Sequence, residues 1–478
     1  MSFRFRDRAS AALSLFFLAC APRAENTAPA APPAATGAAS RPNILLIVVD
    51  TLRADHLSSY GYPRKTSPEI DALAARGVRF DRHRAQAPCT FPSMNSLLTS
   101  QPVETFFGQP LGDMSIPANV ASLPELLHAA GYITAAFSAS PIVRKRPTNF
   151  NRAGGFDRGF DLFDEECLWQ DARCVNQRAL GALAGHHTGE PVFLLLHYID
   201  PHGPYVPPPA FAKFFVGAHP PYPVPLEELP PYQLQIDPAT GQVSNDIGFY
   251  ATQYDREIRS LDDQIGRLLA ELDARSLTRD TLIVFTADHG ESMMENAYYL
   301  EHGDVPYQTT GAVPLIFALD GRFRGGRVIE RPVGVIDLYA TVLALTKTPA
   351  PAGLASTSLL PVLEGKDDAT PQNVFMISGK YEPWQLSIRE GRWKLVLLRA
   401  PQDREWLHAP ERALYDIASD PHEQHDVLAE NAALAASLEK KLLDWFVATP
   451  RFKGGAATDL KQLDGHTQEM LRALGYLE

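Results

Sequence analysis

A chain of 478 residues is too long for one ordinary domain and suits a large domain with a smaller companion. Its 45% hydrophobic and 21% charged residues are the proportions of a globular protein, and a net charge of -12 excludes non-specific binding to nucleic acid, whose phosphates it would repel. Beyond the extreme N-terminus no apolar run reaches the roughly 18 residues that would span a bilayer.

In chain order, the first element is a targeting segment. Arg4, Arg6 and Arg8 precede an apolar stretch from Ala11 to Ala19 that ends at Cys20, the layout of a secretory signal. Phe17-Leu18-Ala19-Cys20 is similar to a bacterial lipobox with Phe at its first position. On this reading residues 1–20 are a lipoprotein signal and Cys20 becomes the acylated first residue of an exported, membrane-anchored protein of the bacterial cell envelope. The alternative is a plain signal peptide with an incidental cysteine. Residues 21–40, rich in Ala and Pro, have almost nothing to bury and read as a disordered tether.

From Arg41 the pattern is α/β. The unbroken apolar run Ile44 to Val49 marks a strand buried on both faces of a parallel sheet. Ser67-Pro68 opens a helix with a capping serine, and Gly77 closes it. Ser122 with Glu125 forms a capping box for a helix ending at Gly131. Further strands read at Tyr132 to Phe137, Val192 to Tyr198 and Leu282 to Thr286. Between the last two, Tyr250, Tyr254, Ile258, Leu261, Ile265, Leu268 and Leu272 recur every three or four residues and give one long helix an apolar face.

The segment from Gly203 to Gly241 is dense in proline and shows no period. Following a motif with catalytic character, it reads as a wall over the site. After Gly365 come short strands at Phe375 to Ile377, Gln385 to Arg389 and Trp393 to Leu398, then a helix from Ala432 to Trp445. The expected architecture is α/β, a doubly wound, mostly parallel central sheet flanked by helices over residues 41–365, with a smaller C-terminal α+β domain over 366–478. Cys167 and Cys174 are close enough to form a small disulfide loop, which an exported location permits but does not require.

Ligands of open α/β sheets bind beyond the carboxyl ends of the strands. Asp50 ends the first strand, His197, Asp200 and His202 end the Val192 strand, and Asp288 and His289 end the Leu282 strand. Any one of them alone reads as a cap or a salt-bridged side chain. Together they make a hard, anionic pocket for a divalent cation such as Ca²⁺, Mg²⁺, Mn²⁺ or Zn²⁺. The stretch Pro88 to Thr99 reads as a loop feeding a helix with Pro92 in its first turn. Thr90 lies just before that helix, facing its unpaired N–H groups. A threonine hydroxyl becomes a useful nucleophile when a metal lowers its pKa, and ligation at the Asp50/Asp288/His289 cation would do that. Without the metal, Thr90 is a plain N-cap.

In this order the residues resemble the sulfatase branch of the alkaline phosphatase superfamily. The resemblance is carried by Asn43 to His56, Tyr60-Gly61-Tyr62, His197-Tyr198-Ile199-Asp200-Pro201-His202, Ala287-Asp288-His289-Gly290-Glu291, Val313-Pro314-Leu315, Leu414-Tyr415-Asp416 and Leu474-Gly475-Tyr476. It implies Asp50, Asp288 and His289 as metal ligands and Thr90 as nucleophile and fourth ligand. It also implies His202 against a non-bridging or leaving oxygen, and His302 as a further substrate or metal contact.

The departures bear on the chemistry. The family carries Cys-x-Pro-x-Arg or Ser-x-Pro-x-Arg, whose first residue is converted to formylglycine. Aligned on Pro92, that position holds Thr90, Met94 replaces the arginine, and Cys89 falls one residue early. Conversion of Cys89 to formylglycine is therefore not expected. A formylglycine hydrate expels sulfate by elimination, whereas a threonine ester needs a second attack by water on the central atom, which suits phosphorus better than sulfur. The sequence thus points to a metal-dependent hydrolase of phosphate, phosphonate or sulfate esters, with phosphoesters favoured. Its substrate would be a small-molecule, glycan or lipid ester. The alternatives are a sulfatase using Cys89, an envelope phosphoethanolamine-type transferase, and a ligand-binding lipoprotein without catalysis.

Overall fold

The protein is described by a computed structural model covering residues 41–103, 115–116, 120–147, 154–167, 171–184, 189–366, 373–378, 385–398 and 409–449. The signal, Cys20, the tether and the terminal Leu474-Gly475-Tyr476 lie outside the described residues. The strands in chain order are β1 (Asn43–Val49), β2 (Val78–Phe80), β3 (His83–Arg84), β4 (Ile133–Ser138), β5 (Leu162–Asp164), β6 (Val192–Tyr198), β7 (Ile236–Asp237), β8 (Gln242–Val243), β9 (Thr281–Ala287), β10 (Leu315–Ala318), β11 (Arg327–Ile329), β12 (Val333–Gly334), β13 (Asn373–Ser378), β14 (Gln385–Glu390), β15 (Trp393–Leu398) and β16 (Arg412–Asp416). The helices are α1 (Pro68–Arg76), α2 (Thr90–Thr99), α3 (Leu123–Ala129), α4 (Ala172–Ala184), α5 (Ile247–Ala274), α6 (Gln308–Gly311), α7 (Asp337–Thr346), α8 (Leu360–Leu363) and α9 (Ala432–Ala448).

The large sheet runs β11-β2-β10-β9-β1-β6-β4-β5, parallel throughout except for β10. The expected mostly parallel sheet is borne out. Its centre is β1, buried from Ile44 onward, with β9 on one side and β6 on the other. Val49 stands opposite both Tyr198 and Ala287, so the residues that follow these three strands leave the sheet at one level. This register alone brings Asp50, Asp200 and Asp288 to neighbouring strand ends.

Helix α5 packs on α1 and α4, and α2 packs on α3 and α7. The apolar positions read in α5 are buried, Tyr250, Tyr254, Ile258, Leu261, Ile265 and Leu268 completely. Each such side chain contributes about 1.5–3 kcal/mol of transfer free energy. Ser122 and Glu125 close the capping box (3.3 and 2.8 Å). Ser67 does occupy the N-cap of α1, but its hydroxyl donates to Asp71 Oδ1 (3.0 Å) instead of capping the helix. Cys167 and Cys174 form a disulfide.

The small antiparallel sheet β13-β14-β15-β16 is covered on both faces. One face forms a core with α9 through Leu438 and Leu442, joined by Ala87 and Val103 from the flanks of α2. The other meets Val305 and Tyr307. The proline-rich segment is more ordered than its sequence suggests: it holds three single-turn 3-10 helices and leads through β7 and its turn into the β7–β8 hairpin.

Candidate active site

At the carboxyl end of the sheet, Asp50, Asp288 and His289 converge. One ligating atom from each lies within 4.8 Å of the others, and all three side chains are buried. His289 Nε2 stands 3.4 Å from Asp50 Oδ1 and 3.6 Å from Asp288 Oδ2. Thr90 joins them, its Oγ1 3.3 Å from Asp50 Oδ2 and 3.2 Å from His289 Nε2. The four groups expected from the sequence therefore share one place. The N-cap of α2 is Cys89 and Thr90 is the first helical residue, so the plain capping role is not the one it plays.

The donor set fits a divalent cation. Asp50 Oδ1 and Asp288 Oδ2 are buried and make no hydrogen bond, an arrangement that is costly without a positive partner. Burial, then the charges of Asp288 and Glu291, hold the Asp50 carboxyl well above the usual range. Burial pushes Asp288 up to about 6. A cation between these oxygens would reverse both shifts. The ligand shape is held from outside: Ser93 Oγ donates to the Asp288 carbonyl (2.6 Å), and His289 Nδ1 bonds the Gly290 carbonyl (2.9 Å), which leaves Nε2 to face the site.

The turn after Asp50 is strained and pinned. Thr51 has φ of +54, and its carbonyl accepts from Tyr254 of α5 (2.7 Å). Thr51 is not part of the metal group.

His202 and His302 lie beside this cluster. Their rings pack edge to face with centroids 5.0 Å apart, and the His302 ring is 4.6 Å from that of His289. His202 Nδ1 bonds the Gly203 carbonyl (2.7 Å), so Nε2 carries the lone pair when the ring is neutral. Burial, then His302, lowers His202 to about 3. His302 is oriented by Glu291, whose Oε1 lies 3.1 Å from Nδ1. Glu291 closes the Ala287–Glu291 motif with no role evident from sequence; its place two residues after His289 was the available signal.

The other two residues of the β6 end serve differently. His197 sits 4.0 Å behind Asp288 Oδ2, and burial lowers it to about 4. Asp200 is outside the metal group and lies near Glu257 of α5, with burial raising it to about 7. The proline-rich segment borders the site through Tyr232, which donates to Glu301 (3.1 Å), and Gln233, which donates to the Leu300 carbonyl (3.1 Å).

Helix α6, a single turn that sequence reasoning missed, ties the site together. The Ala54 N–H donates to its Ala312 flank (3.1 Å), Ala85 N–H to Gly311 (2.9 Å) and Gly290 N–H to Thr310 (2.8 Å). These donors belong to the segments carrying Asp50, Thr90 and His289. Gly290 has to be glycine, since a Cβ there would collide with the Thr309 carbonyl. The small sheet holds the start of α6: Gln308 N–H donates to Glu423 Oε2 (2.5 Å), and Glu423 Oε1 accepts from buried Lys394 (2.6 Å).

Comparison with known proteins follows the same lines. The family model described as Sulfatase matches residues 42–348, and one described as N-sulphoglucosamine sulphohydrolase, C-terminal, matches 304–447. An ulvan-active sulfatase of Formosa agariphila is 22% identical over 85% of this chain and 82% of its own. A multifunctional alkaline phosphatase superfamily protein of Trinickia caryophylli is 24% identical over 85% of this chain and 95% of its own. The crystal structure of a phosphonate monoester hydrolase of Agrobacterium radiobacter shares the fold, with a TM-score of 0.67 at 20% identity over 86% of this chain and 96% of that one.

Proposed function

This chain belongs to the sulfatase family and hydrolyses esters, and on that footing we propose that Thr90 is its covalent nucleophile, acting at a divalent cation on phosphodiesters and phosphonate monoesters. The observation that carries the reading is the meeting of the Thr90 hydroxyl with Asp50 and His289 at 3.3 and 3.2 Å. Asp50, Asp288, His289 and Thr90 would hold the cation. It would supply the charge that lowers the pKa of the Thr90 hydroxyl and screens the equatorial oxygens.

The steps balance within the chain's own groups. Thr90 attacks phosphorus in line with the leaving oxygen, and its proton passes to the neutral His202 Nε2 and from there to that oxygen. Water then attacks phosphorus and gives its proton to His202 Nε2, which passes it to the departing Thr90 oxygen. The Nδ1 bond of His202 to the Gly203 carbonyl leaves Nε2 to do both jobs.

The charge of the pocket supports a substrate with one negative charge rather than two. Carboxyls and imidazoles surround Thr90, and buried Met94 stands where the family carries arginine. Arg53, which reaches the Glu291 carbonyl (3.2 Å), is already held by Asp55 and Glu295. Export and lipid attachment at Cys20 belong to the same proposal, on the strength of the N-terminal sequence.

A panel of chromogenic phosphate, phosphodiester, phosphonate and sulfate esters tests the reading, run on the wild type and on Thr90→Ala with metal analysis of both. Turnover should fall by about 10⁴-fold in the variant while the metal stays bound, and a quenched wild-type reaction should carry phosphate on the Thr90 peptide. Full activity without Thr90, or formylglycine at Cys89, would reject it. Loss of radiolabelled palmitate and of membrane association in Cys20→Ala tests the anchor.

A further inference from the structure

We propose that a cavity away from the metal centre is a second ligand site, one that takes an uncharged sugar unit of a glycan. The cavity has a volume of about 400 Å³, and none of Asp50, Thr90, His202, Asp288, His289 or His302 lines it. Its walls come from β12, the start of α7, β13 and α9, where the two-stranded β3–β12 sheet and the small sheet meet.

One wall is aromatic. Phe375 and Trp445 both line the cavity, and their rings stack on each other with centroids 4.1 Å apart and planes 6° apart, so the aromatic surface they offer the C–H groups of a pyranose is held fixed.

The buried polar groups in the wall are acceptors. Gln86 is only 7% exposed; its Nε2 donates to the Phe375 carbonyl (2.8 Å), but its Oε1 has no hydrogen bond. A Cβ on Gly334 would collide with that oxygen, so glycine leaves the amide its room. Asp337, also buried, accepts from Thr357 N–H (2.8 Å) and Gly334 N–H (2.9 Å), and each of its oxygens keeps a second lone pair.

An orphaned buried acceptor beside a carboxylate calls for donors without negative charge. Hydroxyls around an apolar ring meet that description. A sulfated or phosphorylated ring does not, because its charge would face Asp337. The ligand is thus a neutral sugar. The site stands apart from the ester chemistry and is unaffected by which residue is the nucleophile.

Saturation-transfer NMR and calorimetry on the whole chain, with maltotetraose, cellotetraose and tetra-N-acetylchitotetraose as probes, test the site. At least one should bind, and Trp445→Ala and Gly334→Ala should each weaken it roughly tenfold or more. Turnover of a small chromogenic ester should be unchanged in both, and Thr90→Ala should bind the sugar as the wild type does. Gly334 has a backbone conformation open to any residue, so Gly334→Ala carries the test if Trp445→Ala fails to fold. Binding of none of the three probes, or binding that survives both substitutions, overturns the proposal. So does a loss of ester turnover in Gly334→Ala, which would make the cavity a support for α7.

Discussion

Thr90 and Cys89 are neighbours in sequence, yet their side chains belong to different surroundings. Thr90 faces Asp50 and His289, while Cys89 packs against the core that α2 shares with the small sheet. Near Thr90, Glu291 is the group that fixes His302. Glu291→Gln should lower kcat by about 10–100-fold with the metal still bound, as loss of an orienting partner does; an unchanged kcat in steady-state assays would remove His302 from the reaction. Away from the site, His83 is buried with Nδ1 on the Pro314 carbonyl (3.2 Å), and burial lowers it to about 3. The unfolded chain takes up this proton first as pH falls, so the neutral ring's contribution is complete above about 6.5 and is lost as pH drops toward 3. Between pH 7 and pH 5 the loss amounts to about 2 kcal/mol. In His83→Leu the fall in stability over that interval should shrink by that amount in urea titrations at the two pH values. An equal fall would show that folded His83 already carries a proton.

At the scale of elements, legibility followed length and period. Helix α5 could be read because seven apolar positions repeat over its buried face, and β1 because a strand covered on both sides needs no polar residue from Ile44 to Val49. The convergence of Asp50, Asp288 and His289 was legible for a related reason: parallel neighbours in register end at one level. Helix α6 was not, because four residues make barely one turn and display no face, and its work is done by backbone groups that any sequence possesses. The order within the proline-rich segment was not legible because single 3-10 turns and a two-residue hairpin leave no periodicity to detect. The link from Lys394 through Glu423 to α6 carries its own expectation. Glu423→Gln should weaken metal affinity by about 10–100-fold, read by titrating Mn²⁺ and following its paramagnetic resonance. Lost thermal stability with unchanged Mn²⁺ affinity would reduce the link to a structural tie.

For the whole molecule, a metal that binds only the folded chain adds to stability by mass action. At about a hundred times its dissociation constant the gain is about 2.7 kcal/mol, so chelation should lower Tm by several degrees. Asp288→Asn should lower it similarly and make it insensitive to chelator. A Tm indifferent to chelator in the wild type would mean that the buried carboxyls are neutralised by protons instead. The separate facing of residues 89 and 90 also reaches beyond the folded state. A sulfatase built on formylglycine must first have that residue converted, whereas a Thr90 nucleophile, as proposed above, needs no such step. On that proposal, hosts with and without the converting enzyme should yield protein of equal specific activity.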